Sequence, residues 1–524
     1  MCNDIFVTEW TADGSIGKLL EWRVAENPTY GFLYVEDDGP WTYRAVAAEA
    51  VRIHDQLTTA GVGRGDLVIA RLGNDERFPA AAWAAWMAGA GVIAVHQLAP
   101  ASDIVDVATG MNAVAIVADP DDADAAAAGP PVIASTRYAA AGTADAAELA
   151  RRFVAPGNID GGSPALVMLT SGSTGKPKGV VLTHDNAWAS LRATVSAFRS
   201  KTDPTPLPTT RKPPNLIANP LSHTAGVIRL LFAMYVGRGI ALLRKFDGVA
   251  AKRLIDRHGI DHLTINPAMM RVLLDQLGPD EDLGAVRYAS SGTAPLTPAL
   301  REEFERRFGV PVLQAYGQTE AFGGVTVESV KDVLAGRRRP GSVGKALPGV
   351  ELRIVDERGN DVEVGSTGEV LVRTRSATPG YLGADGQSPV DADGWLHTGD
   401  QGRLDPAGYL YITGRIKNII ICGGFNIIPE ELEAVLARDG RVRDAAVMGI
   451  PDPRLGEIPV ALVESDAEAD DVLAHAAEEL APYKRPRRLY VVEHLPRVAN
   501  GKIDRPAALR LARTLGETTG GRYA

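Results

Sequence analysis

Short apolar runs alternate with longer amphipathic stretches along most of this 524-residue chain. Runs typical of buried strands start at Leu67, Gly91 and Ala113, and the same alternation returns near Ile240 and Asp261. Strands that alternate with helices predict an α/β fold of mixed sheets and helices. Because the chain is longer than one ordinary hydrophobic core allows, we expect two or more domains.

The character of the sequence changes twice towards the C-terminus. After Ala346 the sequence becomes rich in strand-like segments. A further boundary lies near residues 414–417, and the part of the chain beyond it has about the length of one small domain. A helix in this last part is predicted to start at Pro429, since proline suits the first helical position. We therefore predict a large N-terminal domain over residues 1–414 and a small α+β domain over residues 415–524.

Three segments are predicted to be loops. Residues 119–131 are rich in Asp, Ala and Pro, residues 200–215 hold five prolines, and residues 335–344 are basic and glycine-rich. Proline removes a backbone donor and disfavours both a helix interior and a central strand.

Composition narrows the class of partner. The formal net charge is −10, from 55 Lys and Arg against 65 Asp and Glu, which argues against nucleic acid as the main partner. The longest apolar stretch, residues 78–95, is rich in Ala and Gly and follows three charged residues. A bilayer span needs roughly 20 strongly apolar residues, so we predict a buried helix and strand there, and no membrane span.

Cysteine usage predicts a reducing compartment. The chain has only two cysteines, Cys2 and Cys422, and no CxxC or Cys/His cluster that indicates a zinc site. The N-terminus is polar and acidic and lacks the pattern of a signal peptide. We therefore expect a cytoplasmic protein.

The most informative segment is residues 168–181, in which hydroxyl residues, glycines and lysines lie between two apolar runs. Glycines let backbone N–H groups approach an anion, hydroxyls donate hydrogen bonds, and lysines neutralise charge, so the segment predicts a polyphosphate-binding loop. It is not a Walker A loop, since Thr170 occupies the first glycine position and Pro177 follows Lys176. A mobile surface loop is the alternative interpretation. The candidate nucleotide-binding residues are Thr170, Ser171, Gly172, Ser173, Thr174, Gly175 and Lys178.

This segment closely resembles the phosphate-loop signature of the adenylate-forming (ANL) superfamily, which includes acyl-CoA synthetases, 4-coumarate:CoA ligases, firefly luciferase and peptide-synthetase adenylation domains. Further matches follow in the family's order and extend the resemblance over nearly the whole chain. The resemblance implies ATP-dependent activation of a carboxylic acid to acyl-AMP with release of pyrophosphate, and then thioester formation with coenzyme A. ATP, Mg²⁺ and CoA are the implied cofactors and co-substrates.

Two further matches lie at the implied acid and adenine sites. Residues 219–226 resemble the segment that borders the acyl pocket, which gives His223 the role of gating or lining it. Residues 290–296 resemble the small-residue turn beside adenine, where small side chains let a flat ring lie against the backbone. The implied contacts of this turn are Gly292, Thr293, Ala294 and Pro295.

The segment 314–320 matches the next signature. By resemblance, Tyr316 stacks on adenine next to Gly317, Thr319 binds the α-phosphate, and Glu320 helps to hold Mg²⁺. A hard dication prefers carboxylate and phosphate oxygens, which agrees with the role of Glu320. A helix N-terminus with a favourable acid is the alternative for the Thr-Glu pair.

The remaining matches are spread over the C-terminal part of the chain. By resemblance, Asp400 accepts hydrogen bonds from ribose, Arg415 adds a nucleotide contact, and Lys417 is the hinge about which the small domain turns. Lys502, within residues 496–503, matches the catalytic lysine. Residues 423–429 resemble the segment that lines the pantetheine tunnel, which implies roles for Gly423, Gly424 and Phe425. Many relatives carry Glu at position 425.

The final acceptor and the acid are left open. A carrier protein, an amine or another nucleophile is the alternative to CoA, and an oxidative luciferase-like activity uses the same scaffold. A nucleotide-binding regulator that has lost catalysis should have damaged Lys502, Glu320 or Lys178, and all three are intact. Fatty, aryl and alicyclic acids all remain candidate substrates. The sequence predicts no particular oligomeric state.

Overall fold

The protein is described by a computed structural model that covers residues 14–138, 149, 152, 159–171, 177–198, 209, 212–382, 388–423, 425–498 and 501–518. Within these ranges it is an α/β protein of several mixed sheets with helices packed against them, which confirms the predicted fold class.

Two mixed sheets form much of the first half of the chain. The smaller one has the order β2-β1-β10-β9, and the larger one has the order β18-β8-β7-β4-β3-β5-β6. In the larger sheet the five strands from β7 to β6 are parallel, and β8 and β18 are antiparallel additions at one edge. The strands are β1 (Gly31–Val35), β2 (Asp38–Thr42), β3 (Leu67–Leu72), β4 (Gly91–His96), β5 (Ala113–Ala118), β6 (Val132–Ala134), β7 (Pro164–Ser171), β8 (Pro177–Thr183), β9 (Asn215–Ile217), β10 (Ile240–Leu242) and β18 (Tyr381–Leu382).

Two more sheets carry most of the predicted nucleotide contacts. One has the order β11-β12-β13-β14-β15, and the other is the antiparallel β16-β17-β19-β20. Their strands are β11 (His262–Ile265), β12 (Tyr288–Ser291), β13 (Val312–Gln318), β14 (Gly323–Val327), β15 (Lys345–Ala346), β16 (Glu351–Val355), β17 (Gly368–Arg373), β19 (Leu396–Leu404) and β20 (Leu410–Arg415).

The last sheet belongs to the C-terminal part. Its strands are β21 (Ile420–Cys422), β22 (Phe425–Ile427), β23 (Val442–Asp452), β24 (Gly456–Ser465) and β25 (Arg488–Val492). They enclose a hydrophobic cluster of their own, in which every buried residue falls between Ile420 and Ala512. The tight turn Ile416–Asn418 joins this part to β20.

Helices cover these sheets. They are α1 (Lys18–Glu26), α2 (Tyr43–Thr59), α3 (Arg77–Met87), α4 (Ala101–Gly110), α5 (Ala123–Ala127), α6 (His184–Phe198), α7 (Thr224–Tyr235), α8 (Gly248–His258), α9 (Pro267–Gln276), α10 (Pro298–Phe308), α11 (Val330–Leu334), α12 (Pro429–Leu436), α13 (Ala469–Glu479) and α14 (Arg505–Thr518). Side-chain caps explain several starts, since Thr42, Asp247, Asn266 and Thr297 each accept a hydrogen bond from a backbone N–H in the first turn.

Most predicted elements are confirmed, and one loop prediction was wrong. The strands predicted at Leu67, Gly91 and Ala113 are β3, β4 and β5, and residues 78–95 divide into α3 and β4 as predicted. Residues 119–131 are not all loop, because α5 lies within them. The Asp122 carboxylate accepts a hydrogen bond from the N–H of Ala125 at 3.0 Å, and the alanines that follow favour helix.

The other two loop predictions have different outcomes. Residues 335–344 contain no helix or strand, as predicted, whereas most of residues 200–215 lie outside the described residues. In the described ranges, no helix has both the length and the apolar character that a bilayer span requires.

Candidate active site

Three strands, β13, β19 and β20, meet around the carboxylate of Asp400. The hydroxyl of Tyr316, near the end of β13, donates to Oδ2 of Asp400 at 2.6 Å, and Nε of Arg415 lies 2.6 Å from Oδ1. Asp400 and Arg415 are register partners across β19 and β20. Burial raises the pKa of Asp400, and the charge of Arg415 and the Tyr316 hydroxyl oppose that rise. The structure therefore brings Tyr316 together with Asp400, 84 positions later in the sequence, and with Arg415 on the next strand.

A very close backbone approach follows Tyr316. A Cβ atom added at Gly317 would lie 1.9 Å from the carbonyl oxygen of Gly323, so only glycine fits at position 317. The turn that closes this β13–β14 hairpin includes Phe322, whose φ of 47° lies in the left-handed region. Ser190 of α6 fixes the turn by donating to the carbonyl of Phe322 at 2.8 Å.

Thr319 and Glu320 lie in that turn. The hydroxyl of Thr224, at the start of α7, donates to the hydroxyl of Thr319 at 3.1 Å. The hydroxyl of Tyr381 donates to Oε1 of Glu320 at 3.2 Å, and the ammonium of Lys178 lies 5.5 Å from the centroid of the Tyr381 ring. Tyr381 thus connects the predicted metal-binding carboxylate with the end of the predicted phosphate loop.

The environment of Glu320 fits Mg²⁺ delivered with a nucleotide. One of its oxygens accepts from Tyr381, and its other oxygen has no hydrogen bond to the described part of the chain. The described residues contain no group of three or more His, Cys, Asp or Glu that could hold a metal ion. Mg²⁺ is commonly bound by one or two carboxylates together with substrate phosphates and waters, and a single carboxylate suits that mode.

The predicted adenine turn lies against the backbone of β13. Residues 292–295 follow β12, and a Cβ atom added at Gly292 would lie 3.3 Å from the carbonyl oxygen of Ala315, one residue before Tyr316. Thr293 has a φ of 71°. Oγ of Ser291 and Nε2 of Gln318 are buried without a hydrogen-bond partner in the described structure. Buried polar atoms of this kind are suited to a polar ligand such as a nucleotide.

His223 immediately precedes α7. Its Nδ1 accepts from the N–H of Ala225 at 3.2 Å, so the ring caps the helix. Burial lowers the pKa of His223 to about 4, and the positive charges of Lys502 and Arg229 lower it further. The ring is therefore neutral near pH 7 and has two cations nearby.

Lys502 reaches the same site from the C-terminal part. Its neighbour Gly501 contacts the start of α9, where an added Cβ would lie 2.9 Å from that of Ala268. Burial lowers the pKa of Lys502, the charge of Arg415 lowers it further, and Asp400 and Glu320 act in the opposite direction. The ammonium is thus close enough to these three groups to respond to their charges.

The residues predicted to act with CoA make contacts within the C-terminal part. The N–H of Gly423 donates to the carbonyl of Leu455 at 2.8 Å, and the half-exposed ring of Phe425 stacks on Tyr483 with centroids 4.6 Å apart. Lys417 is exposed in the turn Ile416–Asn418.

Some predicted site residues fall outside what the structure describes. These are Gly172, Ser173, Thr174, Gly175 and Gly424. Thr170 and Ser171 end β7, and their backbones pair with Lys178 and Pro177 of β8, so the described strands support the two ends of the predicted loop.

Sequence reasoning missed several residues at the site. Thr224 follows His223 within the matched segment 219–226, so the sequence could have identified it. Thr398 lies two residues before Asp400, and its hydroxyl donates to the carbonyl of Val370 at 2.6 Å. Tyr381 lies outside the matched segments, and no sequence pattern identified it. Arg229, on α7, was also missed.

Comparisons with known proteins agree with this geometry. A family model described as "AMP-binding enzyme" matches residues 20–382, and one described as "AMP-binding enzyme C-terminal domain" matches residues 431–502. Sulfoacetate–CoA ligase of Cupriavidus necator is 31% identical over 95% of this chain and 98% of its own length. The 3-[(3aS,4S,7aS)-7a-methyl-1,5-dioxo-octahydro-1H-inden-4-yl]propanoyl:CoA ligase of Mycobacterium tuberculosis is 36% identical over 70% of this chain and 69% of its own length.

A solved structure supports the same assignment. The o-succinylbenzoate CoA synthetase (MenE) of Bacillus subtilis, in complex with the acyl-adenylate intermediate OSB-AMP, superimposes with a TM-score of 0.78 at 26% identity, covering 97% of this chain and 98% of that one. Another structure of that enzyme contains ATP and magnesium and superimposes with a TM-score of 0.77 at 27% identity, covering 94% and 99%. With the family model matched over residues 20–382 and a full-length relative above 30% identity, this chain belongs to the AMP-binding enzyme family.

Proposed function

We propose that this chain is an AMP-forming acid–thiol ligase, an acyl-CoA synthetase that converts a carboxylic acid to its acyl-adenylate and then to its CoA thioester. The observation that carries the proposal is the position of Lys502. Its ammonium lies within electrostatic reach of Arg415, Asp400 and Glu320 and beside the neutral ring of His223. A cation among nucleotide-binding groups is what the joining of two anions requires.

In the first half-reaction, the residues bring a carboxylate to the α-phosphate of ATP. Tyr316 and Asp400 hold the adenosine, Thr319 donates to the α-phosphate, and Lys502 bridges that phosphate and the acid. One carboxylate oxygen attacks the α-phosphorus, the new C–O–P bond forms, and the bond to the β-phosphate oxygen breaks to release pyrophosphate. When bound at Glu320, Mg²⁺ supplies charge neutralisation for the phosphates.

In the second half-reaction, the thiolate sulfur of CoA attacks the acyl carbon, and AMP leaves as the bond between that carbon and the phosphate oxygen breaks. We assign residues 1–414 to an adenylation domain and residues 415–524 to a mobile domain that turns near Lys417. The separate hydrophobic cluster after Ile420 and the two family matches support this division. Rotation withdraws Lys502 and brings the segment of Gly423, Gly424 and Phe425 to the site.

CoA is favoured over a carrier protein or an amine as the acceptor. The relatives described above are named as CoA ligases or a CoA synthetase. A cytoplasmic location is the remaining part of the proposal, and it is supported by the scarcity of cysteine and by Cys422, which is buried as a free thiol.

The test is acid-dependent release of pyrophosphate from ATP and Mg²⁺. A panel of fatty, aryl, alicyclic and dicarboxylic acids is assayed with and without CoA, and thioester is measured separately. We expect release with one acid class, faster turnover with CoA, and a CoA thioester as product. Release that is indifferent to CoA and yields no thioester would identify a different acceptor. Absence of release with every acid, in protein that still binds ATP, would contradict the proposal.

A further inference from the structure

Arg229 on α7 uses only part of its hydrogen-bonding capacity. Its Nη1 donates to Oδ1 of Asn219 at 3.1 Å and to the carbonyl of Ala225 at 2.8 Å. A guanidinium has five N–H donors in a planar fork. In the described structure Nε and Nη2 make no hydrogen bond, so three of the donors are uncommitted. Asn219 is itself buried, and its backbone carbonyl accepts a hydrogen bond from the side chain of Asn74 at 3.2 Å. The residue that accepts from Nη1 is therefore held in place.

No carboxylate of the described residues pairs with Arg229. Across the described ranges, none of its nitrogens lies within 4.0 Å of an acidic oxygen, whereas the buried Arg301 pairs with Glu328 at 2.7 Å and Arg77 with Asp75 at 2.7 Å. Burial lowers the pKa of Arg229 to about 10, which leaves it charged near pH 7. A charge that is removed from water without a counter-ion costs free energy, and an anionic ligand that pairs with it offsets that cost.

The surroundings of Arg229 place it at the acid site. Thr224, at the start of α7, contacts Thr319, and the Ile228 side chain packs at the β13–β14 turn, 2.6 Å from a Cβ added at Gly323. Arg229 is the next residue, and its charge acts on His223 together with that of Lys502. His223 therefore has two cations nearby: Lys502, which the proposed mechanism uses, and Arg229, to which that mechanism assigns no step.

We infer that Arg229 is a specificity-determining residue that binds a second anionic group, a carboxylate or a sulfonate, on the acid substrate. The substrate class is then a compact acid with two acidic groups. One reacts beside Lys502, and the other accepts hydrogen bonds from Nε and Nη2 of Arg229. This inference rests on the proposed function and names the substrate class of the same site. A fork of two donors suits the two oxygens of such a group.

The test compares dicarboxylic acids of increasing length with their monomethyl esters, which keep the size and remove one charge. Carboxylic acids with a terminal sulfonate form a third arm that distinguishes the two anions. The readout is kcat/KM for acid-dependent pyrophosphate release. We expect the wild-type enzyme to favour a diacid or sulfo-acid of one length over its neutral counterpart by about 10- to 100-fold, the range expected for hydrogen bonds to a charged group.

The variant Arg229→Met should remove that preference. We expect it to lower kcat/KM for the charged acid by the same factor, mainly through KM, while the ester is unaffected or improved. Arg229→Lys should restore part of the preference, since it keeps the charge without the fork. Ile228→Val, a change of volume on the same helix, should leave the acid-to-ester ratio unchanged. ATP binding and the thermal unfolding midpoint verify that the variants are folded.

Two outcomes would contradict the role of Arg229 without contradicting the proposed ligase activity. If wild type releases pyrophosphate with neutral monoacids as fast as with charged ones, the inference is wrong and the proposed function stands. The same conclusion follows if Arg229→Met keeps the wild-type acid-to-ester ratio. If no acid at all supports release, both are overturned.

Discussion

The hydroxyl of Tyr316 lies 2.6 Å from Oδ2 of Asp400, and this contact joins a strand of one sheet to a strand of another. Arg415 engages the other carboxylate oxygen at 2.6 Å. Both oxygens are thus oriented before a nucleotide binds. Preorganised acceptors avoid part of the entropic cost of binding.

Tyr316→Phe tests this preorganisation. The variant keeps the ring but removes the hydrogen bond to a charged group, which is worth about 1.5–3 kcal/mol. We expect KM for ATP to rise about tenfold or more, with a smaller change in kcat. Steady-state pyrophosphate release at saturating acid measures both. Tyr409→Phe is the matched control, because its ring lies near Lys345 and the change should alter neither constant. An unchanged KM for ATP in Tyr316→Phe would contradict the prediction.

Lys502→Ala should separate the two half-reactions. The variant lacks the cation that joins acid and α-phosphate, so we expect acid-dependent pyrophosphate release to fall by at least about 100-fold. Conversion of supplied acyl-adenylate and CoA to thioester should stay within a few-fold of wild type, because that step has no need of Lys502. Rapid-quench assays of each half-reaction measure the two rates.

A second lysine of the same region provides the control for that variant. Lys484 pairs with Glu431 at 2.6 Å. Lys484→Ala should leave pyrophosphate release near the wild-type rate, since surface ion pairs contribute little. Equal loss of both half-reactions in Lys502→Ala would instead indicate damage to the fold.

Phe425→Ala should have the opposite effect on the half-reactions. The ring is 54% exposed and stacks on Tyr483, and it lies in the segment assigned to CoA. We expect KM for CoA in thioester formation to rise several-fold, while pyrophosphate release without CoA is unchanged. Ile421→Ala, also exposed in the neighbouring strand, is the control. A change in adenylation with no change for CoA would refute this assignment.

The sequence allowed the fold class and the nucleotide side of the site to be predicted because short motifs encode them. The residues around Tyr316, Asp400 and Arg415 must have particular types at particular positions, and Gly317 is fixed by a backbone approach that no other residue permits. Such local requirements remain visible in a single sequence.

Other residues of the site, Tyr381 and Arg229, could not be predicted in the same way. Tyr381 reaches Glu320 from a strand 61 positions later, and Arg229 is informative only because no acidic residue of the described structure pairs with it. Absence of a partner is a property of packing in three dimensions. The missed helix α5 has a different cause, since a cap and four alanines outweighed the prolines nearby.

His184 makes the stability of the N-terminal part depend on pH. The ring is buried, its Nδ1 accepts from the N–H of Ile16 at 3.1 Å, and it lies edge-on to Trp86. Burial lowers its pKa from 6.5 to about 4. Between these values the unfolded chain binds more protons than the folded one, so the free energy of unfolding falls as pH falls through this window.

We therefore expect acidification from pH 7 to pH 5 to cost about 2 kcal/mol through His184 alone. His184→Asn keeps a hydrogen-bond acceptor but does not titrate, so its loss of stability over the same range should be smaller by that amount. Urea unfolding followed by tryptophan fluorescence at each pH measures the difference, and Trp86 reports on the site directly. His494→Asn is the control, because that ring is 81% exposed and should leave the pH dependence as in wild type. Parallel pH profiles for wild type and His184→Asn would show that the buried ring is protonated without cost, and the prediction would be wrong.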